Sequence, residues 1–303
     1  MPTLLDILEA HQKNKKDKRV FGLVLPGGGM RGVYTAGAAT VLLHYGLQQA
    51  FDHVVGVSAG ALNGAYFLSE DAETLSHTFQ DDLTNKNFVN LLRKDKPIDI
   101  DYLIDMVMKH KRPYDIEKLK KQKTKLHIML TDAKTGKSVI DSSHDTLEEI
   151  YEEFRATAAL PFVYGKQIPI DGHYYIDGGV ADNLPIDVAV KLGCTDIVVI
   201  LTQQLSAYHF GKRHQRLMNQ LVRRYARNYE LLLRKKLLTD ERLLQANLRV
   251  MQHPTKKVRF YILEPSDEEA LVSLGSIDKP KVERLGKIGV ADMDTFLHTE
   301  VKQ

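Results

Sequence analysis

Apolar residues along this chain gather into short unbroken runs, each followed by a small-residue turn and then a helical stretch. Phe21 to Leu25 is a continuous apolar run closed by Pro26 and three glycines, and His53 to Val57 is β-branched and apolar. Runs of that length bounded by turn residues predict strands buried on both faces, as in a parallel sheet. After the first comes a helical pattern from Val33 to Tyr45, stopped by Gly46; after the second, Ser58-Ala59-Gly60 turns into a small-residue helix from Ala61 to Leu68. Two strand–turn–helix units within sixty residues predict an α/β layered fold.

The same reading divides the rest of the chain. Leu4, Leu5 and Leu8 recur at helical spacing before a polar, basic stretch, so residues 1–19 read as an N-terminal helix and linker. Residues 71 to 124 carry helical patterns broken around Lys96-Pro97 and Arg112-Pro113, and they read as a cap. Leu126 to Leu130 and Ser138 to Ile140 predict strands around Lys134-Thr135-Gly136, and Thr146 to Ala159 predicts a helix. Ile168–Ile170 and His173–Ile176 flank Asp171-Gly172, a strong two-residue hairpin signal that gives Asp171 a structural role. The second strand of that hairpin delivers Asp177-Gly178-Gly179 at its end. Pro185 opens a helix that stops at Gly193, and Ile197 to Leu201 is a further buried strand. Beyond about residue 205 the pattern turns to long helices with one strand-like run at Val258 to Leu263. A domain over 20–205 and a mostly helical C-terminal extension over 206–303 are therefore expected.

Composition narrows the classes. With 43% hydrophobic and 27% charged residues over 303 positions, the chain can bury a full core without staples, which excludes disordered and fibrous readings. Lys+Arg 42 against Asp+Glu 39 leaves +3, too near neutral for a nucleic-acid footprint over the whole surface. The one cysteine, Cys194, forms neither an internal disulfide nor a Cys-rich zinc site, and reads as a small buried hydrophobe. No run approaches ~18 apolar residues, and the N-terminal lysines follow the apolar positions instead of preceding them. The expected location is the cytoplasm.

Candidate chemistry sits at the two turns. Gly27-Gly28-Gly29-Met30-Arg31-Gly32 matches G-x-G-x-x-G after a strand and at a helix start. A dinucleotide site also needs an acid at the end of the second strand, but that strand ends in Ser58 and the nearest acid, Asp52, precedes it. What remains is a ring of backbone N–H groups suited to a phosphate or to a developing oxyanion. Gly56-Val57-Ser58-Ala59-Gly60 is a G-x-S-x-G elbow that exposes a hydroxyl above the sheet. One element supplies a nucleophile and the other supplies donors for the charge its attack creates. For the base, His209, His214, His253 and His298 lack a catalytic setting, and Asp177 at a strand end is the better candidate. Its pKa must then be held up by burial for it to act at neutral pH.

In this order and spacing, the glycine loop, the serine elbow and Asp177-Gly178-Gly179 resemble the signature of the patatin-like phospholipases. Ala156-Thr157-Ala158-Ala159-Leu160-Pro161-Phe162 and Asp182-Asn183-Leu184-Pro185 match that family's usual surroundings. The resemblance spans roughly residues 20 to 200. It implies a three-layer α/β/α core with a mostly parallel sheet, a Ser58–Asp177 dyad, and an oxyanion hole at Gly27, Gly28 and Gly29. Met30, Arg31, Gly32, Gly56, Val57, Ala59, Gly60, Gly178 and Gly179 serve as motif support; Arg31 is expected to brace the loop through backbone carbonyls, the alternative being contact with a lipid phosphate. It implies hydrolysis of fatty acyl esters with no cofactor and no metal.

Between His209 and Lys236, nine basic residues including Arg223, Arg224 and Arg227 accompany a stripe of Leu217, Leu221, Tyr225, Tyr229 and Leu232. Such a helix suits peripheral contact with an anionic membrane, or docks its stripe on the core. The expectation is thus a serine acyl hydrolase acting on lipid. Two other readings stay open: a nucleotide-binding protein using the glycine loop, and a non-enzymatic membrane adaptor using the basic helix.

Overall fold

In the computed structural model, the described residues are 1–14, 16–93, 96–208, 230, 242–254 and 257–301. The apolar runs become an eight-stranded sheet. Its strands are β1 (Phe21–Leu25), β2 (His53–Val57), β3 (Lys125–Asp132), β4 (Ser138–Asp141), β5 (Ile168–Ile170), β6 (His173–Asp177), β7 (Asp196–Ile200) and β8 (Arg259–Leu263). The order is β5-β6-β3-β2-β1-β7-β8, with β4 on β3. β3, β2, β1, β7 and β8 run parallel, while β4, β5 and β6 enter by antiparallel pairings.

Alternate residues of each central strand face opposite layers, as the pleat requires. Leu23, Leu25, Val54, Leu126, Ile128, Val198 and Ile200 point into one core. Helices α1 (Leu4–Lys13), α2 (Gly32–His44), α3 (Ala59–Leu68), α4 (Ala72–His77), α5 (Ile116–Lys121) and α6 (Leu147–Thr157) contribute to that layer. Val24, Val55, Val57, Met129, Ile197 and Val199 point the other way. The four-residue α7 (Gly179–Asp182) precedes α8 (Ile186–Lys191), which covers this second face together with α9 (Arg242–Gln252). The result is a three-layer α/β/α arrangement.

The chain beyond residue 205 feeds back into the same body. β8 pairs in parallel with β7 from Asp196↔Arg259 to Ile200↔Leu263. Fully buried Asp196 fastens that edge, accepting from Arg259 Nε at 2.8 Å and from the Tyr261 hydroxyl at 3.1 Å. The last helix, α10 (Lys279–Leu297), lies on α2 so closely that a Cβ at Gly289 would stand 2.1 Å from the Tyr34 carbonyl oxygen. That contact explains why every residue of α2 from Gly32 to Leu42 is buried.

The described residues of the 71–124 segment form α4, α5 and two π-helical stretches, Thr78–Asp82 and Tyr102–Lys111. Leu75, Phe79, Phe88, Val89, Leu103, Ile104 and Val107 root it in the first core. Cys194 is buried against Gly22, and burial pushes its thiol up to about 12. Among the described residues, no helix is long and apolar enough to cross a membrane.

Candidate active site

The two turns meet because their strands are neighbours. β1 and β2 pair in parallel with Leu25 opposite Gly56, so the glycine loop and the serine elbow leave the sheet side by side. At the elbow Ser58 has φ 51° and ψ −126°, a left-handed strained conformation for a residue with a side chain. α3 begins at the next residue. The turn is tight enough that a Cβ at Gly60 would stand 2.1 Å from the Leu25 carbonyl oxygen, so only glycine fits there. Thr157, the last residue of α6, fixes the elbow from below. Its Oγ1 accepts the Ser58 N–H at 2.9 Å and donates to the Met129 carbonyl at 2.7 Å.

β3 brings the acid to the serine. Val57 lies opposite Met129 and Asp177 lies opposite Leu130, so consecutive positions of one strand carry the elbow and the end of β6. Asp177 is 4% exposed, and its Oδ1 accepts the Gly179 N–H at 2.7 Å. The Ser58 hydroxyl is among the groups that favour its charged form. Burial pushes this carboxyl up to about 7, with the Gly179 N–H and the Ser58 hydroxyl pulling weakly the other way. A carboxylate with that affinity exchanges protons at neutral pH.

The glycine loop is held on three sides. Thr202 Oγ1 donates to the Gly27 carbonyl at 3.1 Å. Gly29 has φ +54°, and a Cβ there would meet the Leu274 carbonyl oxygen at 2.5 Å. That same oxygen accepts the Met30 N–H at 2.9 Å, while the Arg31 N–H turns back to the Gly28 carbonyl at 3.1 Å. Among the described residues, the amides of Gly28 and Gly29 donate to no protein acceptor.

Of the motif residues, Met30 and Val57 are buried, Gly32 lies between Ala59 and the Phe79 ring, and Gly178 abuts the Met129 carbonyl. The Arg31 guanidinium donates to the Gln203 side-chain oxygen, and among the described residues it makes no hydrogen bond to a backbone carbonyl. Asp171 at φ 48° and Gly172 at φ +77° make the expected hairpin turn.

Several contributors escaped the sequence reading. Thr157 and Asn183 fell only within segments quoted for their resemblance, and Thr202, Gln203 and Leu274 carried no signal. Asn183 sits at the centre. A Cβ on Gly27 would stand 2.7 Å from its Oδ1 and 3.3 Å from the Ser58 Cβ. A Cβ on Gly179 would stand 2.9 Å from that same Oδ1 and 3.0 Å from Asp177 Oδ1. Its side chain therefore packs between loop, serine and acid.

Other candidates are placed elsewhere. Asp52 Oδ2 accepts the Phe21 N–H at 2.7 Å, at the far end of β1 from the glycine loop and away from where a ribose would need an acid. His253 follows α9 and is exposed, and His298 is exposed after α10 with Nδ1 at 2.7 Å from the Asp294 carbonyl. His209, His214 and the basic stretch with Arg223, Arg224 and Arg227 lie outside the described residues.

Fold and site together define a three-layer α/β protein whose elbow serine faces a glycine loop and a buried acid. Residues 23–190 match the family model described as Patatin-like phospholipase, and the chain belongs to that family. The uncharacterized protein YjjU of Escherichia coli (strain K12) is 26% identical over 195 residues, covering 62% of this chain and 53% of that protein. Human patatin-like phospholipase domain-containing protein 4 is 25% identical, covering 52% and 64%, respectively. The probable lipid hydrolase 463L of Invertebrate iridescent virus 6 is 28% identical, covering 58% and 65%. The chain thus spans about half to two thirds of these relatives' lengths. The crystal structure of VipD from Legionella pneumophila shares the fold with a TM-score of 0.52 at 13% identity, over 93% of this chain and 67% of that one.

Proposed function

We propose that the protein is a lipolytic acyl hydrolase working through an acyl-enzyme on Ser58. The observation that carries this reading is the buried Asp177 carboxyl, raised to about 7, on the strand end that β3 sets beside the strained elbow serine. Asp177 takes the hydroxyl proton as Ser58 Oγ bonds to the ester carbonyl carbon. The carbonyl oxygen, now negative, is received by the amides of Gly28 and Gly29 beside Gly27, donors worth roughly 3 kcal/mol each in such sites. Asp177 returns the proton to the departing alcohol as the ester C–O bond breaks. Water, deprotonated by the same carboxylate, then releases the acid and restores Ser58.

The cap supplies the apolar wall for the acyl chain, with Phe79 against Gly32 beside the elbow. Leu91 and Leu92 are 82% and 92% exposed on the segment whose Val89 packs against Gly275, next to the Leu274 carbonyl that holds the glycine loop. An apolar pair so exposed suits a substrate presented at a lipid surface. Contact of Arg223, Arg224 and Arg227 with anionic lipid belongs to the same proposal, as does a hydrolase unit spanning residues 20–205. A fluorophosphonate probe tests the nucleophile: labelling of the wild type that is absent in Ser58→Ala supports it, and equal labelling of both removes it.

A further inference from the structure

A second cluster of titratable side chains lies where β4 leaves the sheet. Asp141 ends β4, His144 follows three residues later, and Glu153 projects from α6 toward them. One ligand atom from each lies within 4.8 Å of the other two. Glu153 is 2% exposed, and its Oε2 is 2.6 Å from His144 Nδ1. The other ring nitrogen, Nε2, is 3.3 Å from the Leu126 carbonyl. A carbonyl only accepts, so Nε2 carries a proton, and a further proton lies between Nδ1 and Glu153 Oε2. A backbone carbonyl fixing the far nitrogen is the support that metal-bound histidines ordinarily have. Asp141 Oδ1 is taken by the Ser143 N–H and hydroxyl at 3.1 and 3.2 Å, which leaves Oδ2 for another partner.

Charge points the same way. Among the described residues, Glu153 is paired with His144, and neither it nor Asp141 is paired with a lysine or arginine. A buried carboxylate beside a second one is costly unless cations balance it. With the proton between His144 and Glu153 displaced, two carboxylates and a neutral imidazole carry −2, which one dication cancels. His127 is already engaged with Ser142 at 2.7 Å and His53 at 2.9 Å, and supplies no ligand.

We propose that Asp141, His144 and Glu153 form a structural site for a divalent transition metal of the zinc class, bound through Nδ1 and two carboxylate oxygens with water completing the shell. Nitrogen with oxygen favours such an ion over calcium or magnesium, which prefer oxygen alone. The ion displaces the proton shared by His144 and Glu153. It ties the exit of β4 to α6, the helix whose last residue, one turn beyond Glu153, is the Thr157 that holds the elbow. The site touches none of the reacting atoms, so it stands apart from the acyl-transfer reading.

The test uses the full chain, freed of any tag and treated with EDTA, titrated with Zn²⁺ by calorimetry and with Co²⁺ by visible absorption. One ion per chain is expected, undisturbed by millimolar Ca²⁺ or Mg²⁺. His144→Ala and Glu153→Gln should weaken binding by ~100-fold and half-exposed Asp141→Asn by ~10-fold, with the Co²⁺ bands altered in each. Asp141→Asn keeps the question decidable if the buried variants fail to fold. Absence of stoichiometric uptake by the wild type, or unchanged uptake in folded Asp141→Asn, overturns the proposal.

Discussion

Replacing Asp177 by Asn separates the acid's chemistry from its cost to the fold. The folded carboxyl titrates at about 7 against an ordinary 3.8, a difference of about 3 units, because the site is dry. At 1.36 kcal/mol per unit, holding it ionised costs the native state up to about 4 kcal/mol. Because the folded pKa lies above the unfolded one, the native state binds the proton more tightly. The contribution of this one group to stability is therefore greatest below about pH 4, falls as pH rises toward 7, and stays at the lower level above it. Asn is neutral at every pH and nearly isosteric, so Asp177→Asn should match the wild type near pH 4 and exceed it by as much as ~4 kcal/mol at pH 8. Urea denaturation at the two pH values measures this. Hydrolysis should move the opposite way. Wild-type kcat/KM on a p-nitrophenyl ester should rise about tenfold per pH unit below 7 and level off above it, and the variant should lose 10²- to 10⁴-fold, the usual weight of a general base. A variant no more stable at pH 8 than at pH 4, relative to wild type, would falsify the dry, ionised carboxylate. A wild-type profile flat from pH 5 to 8 would leave Asp177 without its assigned task.

Thr157→Val keeps shape but strands the Ser58 N–H, so a loss of about 2 kcal/mol in denaturant is expected together with a lower kcat; unchanged stability and rate would mean the elbow does not depend on Thr157. Gly60→Ala forces a Cβ to 2.1 Å from the Leu25 carbonyl, and little folded protein should be recovered by gel filtration; a well-folded, active variant contradicts the close approach. Leu91→Ser with Leu92→Ser removes only exposed apolar surface, so the thermal midpoint and soluble-ester hydrolysis should hold while vesicle binding and hydrolysis of vesicle lipid fall; equal loss on both substrates would argue against a lipid-facing pair.

How far the primary structure reaches is clearest at the elbow. β1 and β2 have the expected bounds, Phe21–Leu25 and His53–Val57, since uninterrupted apolar runs closed by glycine have few alternatives in water. The Asp171-Gly172 turn was equally plain, because positive φ at two successive positions demands those residue types. Ser58, the glycine loop and Asp177 stood out for the same local reason. Turn chemistry is written in the few residues that make the turn.

What those residues do to one another was decided only by the tertiary structure. Asp177 lies 119 positions beyond Ser58, and their meeting depends on β6 following the elbow along β3, a pairing that no local pattern encodes. The rise of its carboxyl to about 7 is a property of the walls around it, not of the residue. Leu274 at the glycine loop, β8 at the sheet edge and α10 on α2 all come from the region read as a helical extension. Hydrophobic periodicity says which face of an element is buried and is silent about what buries it, so long-range partners appear only when the chain is folded.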